Sequence, residues 1–195
     1  MRVIADVLCP KDDETEVTVE GRDFALSSLA SLTSLDRMGP TAERLSNDLL
    51  TSAAHDDLRR TVFSNICQED PTNHRNDIPQ RSILQSLEVM ANVAASSRNP
   101  SRLAELLSQN DHDLLLKVIM NVENANVNPR AADLSCIVIN NVCVSQDIVE
   151  GLLSSSPSHY KERLLAALAN AVSCGGEIHA ELERNSRRCL ELLRC

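Results

Sequence analysis

Apolar residues along this chain recur at spacings of three and four positions, interrupted by short polar segments. Such spacing gathers apolar side chains on one face of a helix. The pattern begins at Asp23 and predicts an all-α protein, with helices in "DFALSSLASLTSL", "GPTAERLSNDLLTS" and "DDLRRTVFSNIC", then near residues 81–96, 101–109, 112–124, 130–144, 146–154, 159–173 and 177–193. Helices this brief are marginal on their own, so we expect them to stack on their neighbours.

Two polar segments predict loops. Residues 68–80 carry two prolines and no apolar periodicity, which favours a loop. Residues 10–23 form an acidic stretch, for which we predict an exposed, solvated loop. The alternatives there are a brief strand in "EVTVE" and an acidic interaction tail.

Three segments of the chain share one pattern. Each has a short helix that ends in a Leu-Leu pair, a polar turn with a histidine, and a longer helix that carries an asparagine. The pairs are Leu49-Leu50, Leu106-Leu107 and Leu152-Leu153, the histidines are His55, His112 and His159, and the asparagines are Asn65, Asn121 and Asn170. Coincident features at similar spacing indicate an internal repeat.

This pattern resembles the armadillo repeat family. The Leu-Leu pair, the turn and the helix ending in "SNIC" or "LANA" are similar to that family's second and third helices, and "DRMGPTAERLSNDLL", with Gly39, is similar to the start of its second helix. The resemblance covers most of residues 25–174 and implies a short right-handed α-solenoid. The first helix of the repeat would be missing or reduced between Ala95 and Ser101 and between Cys143 and Asp147.

The spacing of the asparagines leaves the type of repeat open. Successive asparagines at Asn65, Asn92, Asn121, Asn141 and Asn170 lie 27, 29, 20 and 29 residues apart. A regular repeat of this class spans about 40 residues, so the repeats are compressed or follow a two-helix, HEAT-like layout. We predict an N-terminal segment with the acidic loop at 1–23, irregular repeats at 24–176 and a capping helix at 177–195; the alternative for this last helix is a dimer or partner face.

The same five asparagines are the candidate binding residues. Helical projection places Asn92 and Asn170 opposite the apolar stripes of their helices, whereas the other three share a side with apolar residues. The resemblance implies a concave groove in which asparagines bind an extended peptide, and an amide offers the matching donor and acceptor. Glu88, Lys117 and Arg163 lie on the same stripes and complete the predicted site. The alternative is that the asparagines bond to neighbouring turns or to water between repeats.

Composition narrows the function classes. Hydrophobic residues make up 43% of the chain but aromatic residues only 2%, with no Trp, so the core must be aliphatic. The net charge of −9 argues against a nucleic-acid partner, because phosphate binding needs a surplus of Lys and Arg. The seven cysteines, with no CxxC motif, indicate reduced thiols and a cytoplasmic, reducing location. The sequence opens without a signal-peptide pattern and has no stretch of the length that spans a membrane.

We expect neither catalysis, nor a metal, nor a cofactor. The recurring histidines cannot share one ion, because packed helices lie about 8–10 Å apart and a ligand lies about 2 Å from its metal. The sequence therefore predicts a non-enzymatic protein–protein interaction module, a scaffold or an assembly subunit, that binds an extended peptide or a folded protein. The alternatives are an armadillo-type regulator of a small GTPase and, more remotely, a thiol-dependent enzyme.

Overall fold

A computed structural model describes residues 1–10, 17–67, 80–109, 113–175 and 179–194. Over these residues the protein is all-helical and contains no strand. The α-helices are α1 (Arg2–Leu8), α2 (Val19–Thr33), α3 (Leu35–Met38), α4 (Pro40–Thr51), α5 (Asp56–Cys67), α6 (Gln80–Ser96), α7 (Pro100–Leu107), α8 (Asp113–Glu123), α9 (Pro129–Val142), α10 (Gln146–Ser155), α11 (His159–Gly175) and α12 (Ala180–Arg194), and a 3₁₀ turn covers Ala53–His55.

The N-terminal segment differs from its prediction. Arg2–Leu8 forms a helix that packs on α2 and α5 and buries Leu8, although seven residues carry too little periodicity to predict it. The second helix starts at Val19, four residues before Asp23, because the Thr18 hydroxyl accepts a hydrogen bond from the Gly21 amide (Oγ1–N 3.1 Å) and so caps it. The acidic run at 11–16, nearly all of the predicted loop at 68–80, and His112 lie outside the described residues.

Local signals set the helix starts in the second half of the chain. Asn99 and Asn128 each precede a proline, and their side-chain oxygens accept hydrogen bonds from the amides of Arg102 and Ala131. Proline at the first helical position needs no amide hydrogen, so an Asn-Pro pair starts a helix well. These two signals explain why the predicted starts of α7 and α9 fall within a residue of the observed ones.

The chain divides into two compact units, Met1–Arg98 and Asn99–Cys195, and the division falls inside the predicted repeat region of 24–176. In the first unit, α2, α4 and α5 all pack against α6. The core of α6 is aliphatic and fully buried at Val89, Met90 and Val93.

In the second unit, helices pack in a regular order. Each of α7, α8 and α9 contacts the helix three places later, which gives the pairs α7–α10, α8–α11 and α9–α12. Consecutive helices also pack, α8 on α9 and α11 on α12. The closing helix α12 buries Leu182, Ser186, Cys189 and Leu193.

The helices fall into two sets, and the members of each set share a pattern of buried and exposed positions. Residues 86–94 of α6, "SLEVMANVA", and residues 135–143, "SCIVINNVC", in and just beyond α9, have the same burial class at all nine positions. In α5, α8 and α11, the residues one and two places before the asparagine are exposed and buried respectively, and the residue after it is buried. Asn92 and Asn141 lie 49 residues apart, as do Asn121 and Asn170. The uneven spacings of the sequence analysis therefore combine two sets of asparagines, Asn92 and Asn141 in one and Asn65, Asn121 and Asn170 in the other. Helices α6 and α9 end at Ser96 and Val142, just before the segments 97–99 and 143–145, which contain no helix.

Candidate protein-interaction face

Two of the five candidate asparagines join neighbouring helices. Asn65 on α5 is only 3% exposed, and its Nδ2 donates to the Ser86 hydroxyl of α6 (3.4 Å). Asn121 on α8 is half-buried and donates in the same way to the Ser135 hydroxyl of α9 (3.2 Å). Both amides therefore bond to a serine of a neighbouring helix, a partner that is neither the turn nor the water named as the alternative to groove binding.

Asn92 and Asn141, the asparagines of α6 and α9, also form hydrogen bonds within the protein. Asn92 donates to the Ala30 carbonyl of α2 (Nδ2–O 2.9 Å), so another helix covers α6 at this position, opposite its apolar stripe. Asn141 donates to the Ile137 carbonyl of its own helix (2.8 Å). Both residues, like Glu88 on α6, are half-buried. The prediction that Asn92 faces outward was therefore wrong.

Asn170 lies at the position of α11 that corresponds to Asn65 and Asn121, but it is exposed. Its neighbours along the same side of the helix, Ala166, Ala169 and Ser173, are exposed as well. Residues three, four and seven apart share a side of a helix, so these four form a continuous stripe. The prediction that Asn170 faces away from the core is correct.

Helix α8 packs beside α11 and extends this stripe. Its exposed or half-buried residues on one side are Lys117, Met120 and Asn124. We call the combined surface the α8–α11 face; its residues are Lys117, Met120, Asn121, Asn124, Arg163, Ala166, Ala169, Asn170 and Ser173. Four of the eight predicted site residues, Lys117, Asn121, Arg163 and Asn170, thus lie on two adjacent helices, whereas Asn65, Asn92, Asn141 and Glu88 lie on others.

A bidentate ion pair between Arg163 of α11 and Glu123 of α8 joins the two helices at this face. Arg163 Nε donates to Glu123 Oε1 (2.8 Å), and Arg163 Nη2 donates to Oε2 (2.7 Å). The hydrogen bonds from Arg163 to Glu123 raise the pKa of the guanidinium, so the arginine stays charged and fixed. Glu123 was not among the predicted residues, because no sequence signal links positions 40 residues apart.

The α8–α11 face carries few charges. Apart from Lys117 at its edge, its side chains are amides, small or apolar groups and a hydroxyl, and the charge of Arg163 is neutralised by Glu123. Removing water from uncharged side chains costs less free energy than removing it from ionised carboxylates, which are in excess in this chain of net charge −9. The small side chains at Ala166 and Ala169 also allow a partner's backbone to approach closely.

Two of the three recurring histidines lie within the described residues. His55 is half-buried in the 3₁₀ turn of the first unit, and His159 is exposed at the start of α11, where its ring is perpendicular to that of Tyr160 at a centroid distance of 4.9 Å. Within the described ranges, no group of three or more His, Cys, Asp and Glu side chains is arranged to hold a metal ion.

The six described cysteines are all thiols. Cys136, Cys143 and Cys189 are buried, Cys9 and Cys67 are half-buried, and Cys174 is exposed. Cys9 contributes to a cleft of about 620 Å³ with Arg2 and His55, and its thiol shares a hydrogen bond with the Thr61 hydroxyl (3.1 Å).

Comparison with protein-family models, with curated proteins and with solved structures gives no match for this chain. In the part of the chain that the structure describes, no single helix combines the length and apolar composition of a membrane span. Helices α9 and α10, bent by 116° at their break, meet those two criteria only when taken together.

Proposed function

We propose that the chain is a non-enzymatic protein-interaction module whose helices stack as a short right-handed solenoid of armadillo-like repeats. Three helices make one repeat in this proposal: in the second unit, α9, α10 and α11 form one repeat, and α7 and α8 are the last two helices of the repeat before it. The packing of α7, α8 and α9 on the helices three places later supports it. A period of three helices also favours the armadillo layout over the two-helix HEAT layout.

The charges on α12 support its role as the end of the stack. When Ser186 is aligned with Ser135 of α9, Arg187 and Glu191 are exposed at the positions where Cys136 and Asn140 are buried. Repeat arrays need a terminal helix with a polar outer side, because nothing stacks on it. Under this proposal α12 is that cap.

The proposed binding site is the α8–α11 face. The observation that carries it is the exposure of Asn170 within a stripe of small side chains, at a position where Asn65 and Asn121 bond to serines. An exposed amide can donate to and accept from one peptide unit of a partner. The partner is a protein, recognised through an extended segment or a folded surface; a small GTPase is one such partner.

The test is affinity capture from a cell extract with the intact chain. Ala169→Glu places a charge in the centre of the face, and Ala95→Glu places the same charge on an exposed position of α6. We expect Ala169→Glu to lose a partner that the wild type and Ala95→Glu retain. Circular dichroism first establishes that both variants are folded. Equal capture by all three proteins would exclude this face, and the identity of the captured protein tests the GTPase alternative.

A further inference from the structure

A buried group of thiols and polar side chains lies between α9 and α12 in the second unit. Cys136 and Cys189 are both 0% exposed. The Cys189 thiol donates to Asn140 Oδ1 (3.1 Å) and to the Cys136 carbonyl (3.4 Å), and Cys136 Sγ lies 3.5 Å from the Ser186 hydroxyl. Two cysteines 53 residues apart in sequence thus meet in one contact.

We propose that Cys136 and Cys189 are a redox-sensitive pair, which a hydroperoxide oxidises to a disulfide that ties α9 to α12. Transient disulfides in reducing compartments serve catalysis or redox sensing. This inference concerns the α9–α12 contact and does not depend on the interaction face proposed above.

The surroundings of the two sulfurs come from both helices. In the closed state, the α12 side chains of Cys189 and Ser186 lower the pKa of Cys136, and the contact with Cys136 together with burial raises the pKa of Cys189. Because these contacts are lost when α12 opens, either thiolate can attack the peroxide, and the other cysteine then resolves the sulfenic acid.

The reaction balances with peroxide as the oxidant. The thiolate of one cysteine attacks a peroxide oxygen, the O–O bond breaks, and hydroxide leaves to give a sulfenic acid. The sulfur of the other cysteine then attacks the sulfenic sulfur, the S–S bond forms, the S–O bond breaks, and the oxygen leaves as water. Two thiols lose two protons and two electrons, and hydrogen peroxide is reduced to two water molecules.

Access of peroxide to the pair requires local opening of α12. This helix presents charged residues to solvent at Glu181, Arg184, Arg187 and Arg188, and its buried contacts are confined to one side. Secondary elements held on one side open at a free energy below that of global unfolding. A disulfide formed in the open state, or during closure, would hold α12 against α9.

The experiment treats the intact chain with hydrogen peroxide, blocks the remaining thiols with an alkylating reagent, and maps the peptides without reduction. We expect one dominant cross-linked pair, containing Cys136 and Cys189 and lighter by two hydrogen atoms, that dithiothreitol reverses. The oxidised protein should melt several degrees above the reduced protein, because a disulfide that closes a long loop stabilises the fold. Cys174→Ser, at an exposed position of α11, is the matched control and should give the same cross-link.

The sulfenic acid intermediate has its own readout. Dimedone should label Cys136 in Cys189→Ser and Cys189 in Cys136→Ser, because neither variant can form the disulfide. A dominant cross-link through Cys143 or Cys174, or thiols at both positions that survive peroxide, would overturn the proposal. The peptide map uses the unaltered chain, so the result stands even if a variant fails to fold.

Discussion

Asn65 on α5 donates a hydrogen bond to the hydroxyl of Ser86 on α6, and both side chains are buried. Replacing Asn65 by Ala removes this bond and leaves a small cavity, so we expect a loss of about 1–2 kcal/mol in the free energy of unfolding. The corresponding exposed asparagine, changed in Asn170→Ala, should cost less than about 0.5 kcal/mol. Urea unfolding of the two variants makes the comparison, and equal losses would contradict the different environments described here.

The ion pair between Arg163 and Glu123 should contribute little to stability, although its geometry is good. Each side chain is about one-third exposed, at 35% and 32%, and solvent screens such pairs. Glu123→Gln should therefore lower the free energy of unfolding by at most about 1 kcal/mol, and the loss should shrink in high salt. The measurement is urea unfolding at low and high NaCl. Urea is chosen because the denaturant guanidinium chloride is a salt and would itself screen the ion pair. The control is Glu183→Gln, which removes the ion pair with Arg187 inside α12.

A buried arginine holds the end of α4 onto α5. Arg59 is 6% exposed, and its Nη1 donates to the carbonyl oxygens of Leu49 (2.8 Å) and Leu50 (3.1 Å) while the same guanidinium pairs with Asp56. These carbonyls belong to the last turn of α4, where no helical amide can reach them.

Arg59→Met keeps much of the side-chain volume but removes the donors. We expect it to lower the free energy of unfolding by about 2–4 kcal/mol, because two buried carbonyls and Asp56 lose a charged partner. Thermal and urea unfolding measure the loss. Arg60→Met changes the exposed neighbour and serves as the control; a similar cost for both would show that the buried contacts of Arg59 contribute nothing.

The sequence predicts the positions of the helices better than it predicts which neighbouring helices pack against each of their sides. The signals that mark helix boundaries, such as Asn99-Pro100 at the start of α7, involve residues adjacent in sequence. The bounds of α6 to α11 can therefore be predicted from a few residues each. The environment of Asn92 is not local, because the Ala30 carbonyl that it binds lies 62 residues away. A helical projection finds one apolar stripe and assigns the opposite side to solvent, but a second helix can cover that side when polar groups pair across it. Asn170 and its neighbours keep the exposure that the projection gave them, whereas Asn92 does not.

The buried thiol of Cys143 should make stability depend on alkaline pH. Burial raises its pKa from 9.0 to about 12 in the folded protein, because a low-dielectric site disfavours the thiolate. The unfolded chain therefore loses this proton at a lower pH than the folded chain does. The stabilising contribution is complete below pH 9 and declines as the pH rises from about 9 to about 12.

Cys143→Ala removes this titration. Between pH 7.5 and pH 10.5, we expect the wild type to lose about 1–2 kcal/mol more unfolding free energy than the variant, since each pH unit above the unfolded pKa is worth about 1.4 kcal/mol. Tyrosine and lysine titrations occur in both proteins and cancel in the difference, which urea unfolding at the two pH values measures. Cys174→Ala removes an exposed thiol but keeps Cys143, so it should retain the wild-type decline. If Cys143→Ala declined as steeply as the wild type, the thiol of Cys143 would have to ionise at similar pH in the folded and unfolded chains.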